Sequence, residues 1–197
     1  MKVVFTMKFT RTRIPDVVIC EPVVHGDSRG YFAETFRQDK LDSFLGINLK
    51  FVQDNESKSS RGVLRGLHYQ LPPFAQTKLV RVIEGTVLDV ALDIRKGSAT
   101  FGEHVAVTLS SENKAQLLVP RGFAHAFVVL SETATFAYKV DNYYSPGCDR
   151  GIAFDSKELD IDWQIQRLDL KLSEKDINST SFSEATDLFD FKENLYV

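Results

Sequence analysis

Gly62-Val63-Leu64-Arg65-Gly66-Leu67-His68-Tyr69-Gln70, taken with Pro120-Arg121-Gly122-Phe123-Ala124-His125, decides the fold. In each stretch a glycine precedes a histidine inside an apolar, β-prone run, the pattern of a turn feeding a strand that carries one imidazole. Around them the chain alternates or runs apolar over 78–83, 85–93, 103–109, 115–119, 123–130 and 133–140. Turn residues at Glu84-Gly85, Lys96-Gly97-Ser98, Ser110-Ser111-Glu112-Asn113 and Ser145-Pro146-Gly147 separate these runs. Short strands at regular spacing predict a mainly β sandwich or barrel, whose interior is where polar side chains do chemistry. Lys40 to Leu45 is expected to form a short helix, and Ser173 to Asp176 to begin another.

The Pro-x-Gly-x-x-His run resembles the second motif of the cupin superfamily, and Gly62 to His68 resembles the start of its first. A metal-binding cupin continues with a second His two positions on and then a Glu. Here that position is Gln70, and 71–78 holds no carboxylate. Imidazole-bound divalent metals want three or four ligands on short bonds, so His68 and His125 alone make a poor site. Lys78 and Arg65 add positive charge there, which suits an anion or a developing oxyanion. No metal and no other cofactor is expected.

At 197 residues the chain can bury one proper core. Its net charge of −3 and lack of a basic block give no nucleic-acid or membrane footprint. Cys20 and Cys148 follow no metal spacing and are expected as free thiols. The first residues, soon followed by Lys8, Arg11 and Arg13, do not read as a secretory signal, and no run is long enough to span a bilayer, so a soluble cytoplasmic protein is expected. Residues 1–180 are expected as a single domain and 181–197, aromatic and acidic without period, as a peripheral tail.

Taken singly, the candidate residues have plain explanations. A lone His68 would be a core histidine bonded to backbone. Arg65 and His68, three apart on an extended chain, would face opposite ways unless Gly66 introduces a bulge. Tyr138 alternates with Phe136 and Val140 and would be packing. Asp176 would cap a helix. Gln53, Asn55 and Ser57 would line a solvated face, and Asp27 to Gly30 a turn.

Together they make a more specific pattern. Asp27-Ser-Arg-Gly-Tyr-Phe-Ala-Glu34, Gln53 to Ser57, Val63 to Gln70, Ala75 to Arg81, Asp89 to Arg95, Pro120 to Phe127 and Leu172 to Asp176 resemble, in order, the motifs of the dTDP-4-dehydrorhamnose 3,5-epimerase family. The resemblance runs from about Ile14 to Asp176. It implies a metal-free cupin jelly roll with a few short peripheral helices, a homodimer with shared sites, and a nucleotide-linked 4-keto-6-deoxyhexose as substrate, in dTDP-L-rhamnose biosynthesis. His68 matches the family's general base, Asp176 the carboxylate that orients it, Tyr138 the general acid on the opposite face of the sugar, and Lys78 the lysine at the keto oxygen. Arg29, Phe32 and Glu34 match nucleotide contacts supplied by the neighbouring subunit. Gln53, Asn55, Arg65, His125, Tyr144, Asp149 and Lys175 match other ligand contacts. One departure is Ala126, where relatives commonly have Gly; its methyl is expected beside the site.

Chemistry agrees with those roles. Hydrogens on carbons 3 and 5 flank a ketone, so removing either gives an enolate whose oxyanion needs stabilising. Histidine titrates near neutrality and can act as base, while inversion requires a proton from the other face. The alternatives are an epimerase acting on one carbon only, a metal-dependent cupin enzyme, and a silent carbohydrate-binding cupin.

Overall fold

A computed structural model describes residues 7–196. One sheet contains β1 (Lys8–Arg11), β2 (Val18–Glu21), β5 (Gln53–Ser60), β7 (Lys78–Glu84), β11 (Gln116–Val119) and β13 (Thr133–Val140), in the order β1-β2-β11-β7-β13-β5. A second contains β6 (Leu64–Gln70), β8 (Thr86–Asp93), β10 (His104–Ser110), β12 (Phe123–Val129) and β14 (Asp149–Gly151), in the order β10-β8-β12-β6-β14. The remaining strands form two small ribbons, β3 (Val24–Asp27) with β4 (Gly30–Ala33) and β9 (Arg95–Lys96) with β15 (Phe189–Asp190). The helix α1 covers Gln38–Leu45 and α2 covers Glu174–Ile177.

Alternation along the strands sorts side chains into layers. Val80, Val82, Leu117 and Phe136 from the first sheet meet Val87, Ala91, Val105, Phe123, Phe127 and Val129 from the second, filling much of the space between them. The even positions of β8 and β12, Leu88, Val90, Leu92, Ala124, Ala126 and Val128, point outward and are covered by Ile152, Phe154, Leu159, Trp163 and Phe189. On the far side, Val18, Cys20, Leu79 and Leu118 are covered by Leu41 of α1, Leu49 and neighbouring aromatics. The central strands of each sheet are thus covered on both faces, which is why β8 and β12 read as near-continuous apolar runs rather than clean alternation.

Of residues 181–197, expected as a peripheral tail, those described pack against this layer. Phe189 is buried in the layer outside the second sheet, and the Tyr69 hydroxyl donates to the Asp187 carbonyl. Cys20 and Cys148 are unpaired, and burial pushes the Cys20 thiol up to about 12. Among the described residues, no helix is long and apolar enough to cross a membrane.

Candidate active site

His68, His125, Arg65, Lys78, Asn55, Tyr138, Lys175 and Asp176 line one cavity of about 420 Å³ between the sheets. Its floor is the stacked pair Phe127 and Phe136, with ring centroids 4.1 Å apart. Beyond that stack the space between the sheets is filled by apolar side chains, among them Val80, Val82, Leu117 and Val129. Alternation on β7 and β13 puts Lys78 and Tyr138 on the inner face of the first sheet, as on β12 it puts His125 on the inner face of the second.

His68 joins them because β6 is bulged. Its partners on β12 run His125↔His68 and then Phe127↔Arg65, three steps against two. The extra residue allows Arg65 and His68 to face the same cavity, which an unbroken strand would forbid. Gly66 holds the kink at φ +128°, and a Cβ there would lie 2.4 Å from the Ala126 methyl. That contact also corrects the expectation for Ala126. Its methyl points into the outer layer, against Gly66, and does not line the cavity.

The carboxylate of Asp176 serves two masters. Oδ2 accepts from the Ser173 hydroxyl at 2.6 Å and the Ser173 amide at 3.3 Å, closing a capping box at the start of α2. Oδ1 accepts from the Gly66 amide at 3.2 Å and lies 2.7 Å from His68 Nε2, close but without the alignment of a full hydrogen bond. Burial alone would raise the Asp176 pKa; contact with His68, the Ser173 hydroxyl and the Gly66 amide outweigh it and bring it down to about 2. A fixed anion at Nε2 favours the tautomer protonated there, leaving Nδ1 as the basic atom of a ring that is 27% exposed.

Burial pulls the Lys78 ammonium down to about 8, against the carboxylates of Asp149 and Asp89, while Lys175 adds to the depression. It is therefore mostly charged at neutral pH. Burial raises the Tyr138 pKa, with Arg65 opposing and Asp149 reinforcing, so the phenol keeps its proton at neutral pH.

At the rim, the Tyr144 hydroxyl donates to Asp149 Oδ2 at 3.0 Å, and Lys175 pairs with the same oxygen. Gln53 donates to Asn55 at 2.8 Å, and Arg65 reaches Ser59 Oγ at 3.3 Å. Arg29 and Phe32 are not brought to the cavity. They sit on the β3–β4 ribbon, where Arg29 pairs with Asp27 at 2.6 Å, and Glu34 lines a groove on the outside of the first sheet.

Gln70, standing where a metal-binding cupin has its second His, turns away from the cavity. Its amide donates to the carbonyls of Phe74 and Tyr143 and accepts from the Ser145 amide, pinning two loops. Among the described residues, no three His, Cys, Asp or Glu side chains form a metal-holding group. Sequence reasoning gave no role to Asp89, both of whose oxygens lie within 3.0 Å of His125 Nε2. The signal was an acid at an inward position of an apolar strand, which buries only with a partner.

The family model described as dTDP-4-dehydrorhamnose 3,5-epimerase matches residues 11–184. The chain belongs to that family. It is 54% identical over 179 residues to a dTDP-4-dehydrorhamnose 3,5-epimerase from Shigella flexneri, covering 91% of this chain and 98% of the relative. The crystal structure of an epimerase of the same name from Elizabethkingia anophelis superposes with a TM-score of 0.87 at 52% identity, over 90% of this chain and 97% of that one. A dTDP-6-deoxy-D-glucose-3,5-epimerase from Legionella pneumophila, solved in complex with dTDP-4-keto-L-rhamnose, superposes at 0.91 with 45% identity, over 95% of this chain and 100% of that one. These neighbours are cupin-type epimerases, so the mainly β, jelly-roll expectation holds.

Proposed function

We propose that the chain is a 3,5-epimerase converting dTDP-4-dehydro-6-deoxy-D-glucose to dTDP-4-dehydro-L-rhamnose, in dTDP-L-rhamnose biosynthesis and without a metal or other cofactor. The observation that carries the mechanism is the placement of base and acid on facing sheets: His68 on β6 and Tyr138 on β13. A pyranose ring held between the sheets meets a base on one face and a proton donor on the other. His68 Nδ1 takes the proton from carbon 3 or 5, and the electron pair moves toward the oxygen on carbon 4. Lys78 stabilises the resulting enolate, its charge worth more for being poorly hydrated. Tyr138 then protonates the carbon from the opposite face, which inverts it. One base and one acid serve both carbons if the ring shifts between steps.

Arg29, Phe32 and Glu34 act on a second copy's cavity. Tyr31 and Phe32 are 63% and 60% exposed on a ribbon that joins neither main sheet, a surface that suits burial in a two-fold partner. Arg29 then binds the diphosphate and Phe32 walls the nucleotide. The unpaired thiols fit a reducing compartment such as the cytoplasm.

Incubation with dTDP-4-dehydro-6-deoxyglucose in deuterium oxide tests the reaction. Two deuterons in the product, at carbons 3 and 5, are expected; one would make the chain a single-carbon epimerase. Tyr138→Phe should keep exchange and lose inversion, and undiminished product would reduce Tyr138 to packing. For the shared site, mixing inactive Arg29→Ala with inactive His68→Ala should restore one intact site per heterodimer.

A further inference from the structure

The C-terminal segment lies past residue 184, where the family match ends, and closes on a buried polar cluster at the foot of the catalytic strands. Tyr196 is the key. Its hydroxyl accepts from the Arg121 amide at 3.2 Å and shares a 3.0 Å hydrogen bond with Thr77 Oγ1. The Arg121 guanidinium donates Nε to Asp141 Oδ2 at 3.0 Å and Nη1 to the Leu195 carbonyl at 2.6 Å, and lies 5.2 Å from the Tyr196 ring centroid. Asp141 returns through Oδ1 to the Thr77 amide at 2.6 Å. Thr77 is fully buried, and the Asp141 side chain is 3% exposed.

Each member of the cluster adjoins a strand that carries a cavity residue. Thr77 immediately precedes Lys78 on β7, Asp141 follows Val140 at the end of the strand bearing Tyr138, and Arg121 leads into β12 and His125. Among the described residues no hydrogen bond holds the Lys78 ammonium, so its aim is set by its backbone and packing.

We propose that residues 189–196 act as a strap that positions Lys78 for the reaction, with Tyr196 and Leu195 locking the Arg121–Asp141–Thr77 cluster from which β7 enters the cavity. This rests on the reading of Lys78 as the group that stabilises the enolate. The strap is anchored independently of the cluster: β15 pairs with β9, and Phe189 is buried. Loss of the Tyr196 hydroxyl therefore loosens the cluster without unfolding the barrel. Tyr196 does not line the cavity, so its effect on rate must pass through what it holds.

Tyr196→Phe keeps the ring and its contact with Arg121 and removes both hydroxyl bonds. The expected result is a kcat lower by roughly threefold to tenfold, in the lower part of the range of coupling between linked residues, with KM little changed. The alkaline limb of the kcat profile should also move upward, because a loosened Lys78 regains water. Asp149, Asp89 and Lys175, the charges that face Lys78, remain in place. A variant truncated after Asn194 should reproduce both changes, and circular dichroism should show both proteins folded. The decisive comparison is a double-mutant cycle. In a Lys78→Ala background Tyr196→Phe should cost nothing further. Losses that add, or a change confined to KM or melting temperature, would overturn the strap while leaving Lys78 in its role. A Lys78→Ala variant with wild-type kcat would instead bring down the functional reading, and the strap's purpose with it.

Discussion

His68 and His125 lie side by side as register partners on β6 and β12, and each has a carboxylate at Nε2, yet the two pairs are built differently. Asp89 comes from β8, the strand next to His125 in the same sheet, and gives both oxygens to one nitrogen; the side chains are 8% and 0% exposed. Asp176 comes from a helix far along the chain. It divides its oxygens between His68, Gly66 and Ser173, and leaves the His68 ring 27% exposed beside a carboxylate that is 3% exposed. The closed pair is suited to holding an imidazole still as a binding group. The open pair combines a ring that can meet substrate with a carboxylate braced from behind, which a base that must gain and lose a proton needs.

Replacing each histidine tests that contrast most severely. His68→Ala should lower deuterium exchange at both carbons on the order of 10²–10⁴-fold, whereas His125→Ala should weaken binding more than exchange. Equal losses in exchange would erase the distinction. Lys78 faces both pairs from the opposite sheet, and Lys78→Ala should cost on the order of 3 kcal/mol in transition-state stabilisation. In the wild-type enzyme kcat should fall as pH rises through about 8, where the ammonium deprotonates.

A smaller effect should separate the carboxylates. Because the Asp176 pKa is depressed to about 2, the ionised side chain stabilises the fold above the unfolded value near 4 and loses that contribution as pH falls toward 2. The contribution is about 2 kcal/mol. The stability gap between wild type and Asp176→Asn, measured by urea unfolding, should therefore be full at pH 6 and shrink between pH 4 and 2. A gap that grows on acidification would contradict the assignment. Smallest of all is the expected response to chelators. Two histidines already committed to carboxylates leave little for a cation, so activity should survive EDTA, and loss restored by a divalent ion would revive the metal-dependent reading.

Much of this was legible in one dimension. The strands through 78–140 follow from apolar runs and turn residues because burial between and outside two sheets imposes a pattern on each strand separately. The inward aim of Tyr138 and Lys78 follows from the period of a strand, and the start of α2 from the polar run Ser173 to Asp176, although Ser173 rather than Asp176 is its N-cap. Resemblance supplied the roles of the cavity residues. Alternation could not have done so.

Other features exist only once the chain is folded. Gly66 allowed a bulge, but whether Arg65 and His68 share a face depended on how β6 registers against β12. Gln70 was conspicuous as a missing ligand, and only packing showed that its amide is spent on two loops. Asp176 reads locally as a cap, since a sequence displays neighbours along the chain and hides those across space. The tail has no period because it does not form a repeating element against one surface. It crosses the barrel, placing single residues, Phe189 in one layer and Tyr196 at Thr77 and Arg121, where contacts far apart in sequence converge. Local propensities and periodicity are properties of short windows, and so the sequence by itself determined the strands between 78 and 140 and their inward faces. Register, the bulge, the His68–Asp176 contact and the closure of the strap depend on long-range packing, and were decided by the tertiary structure alone.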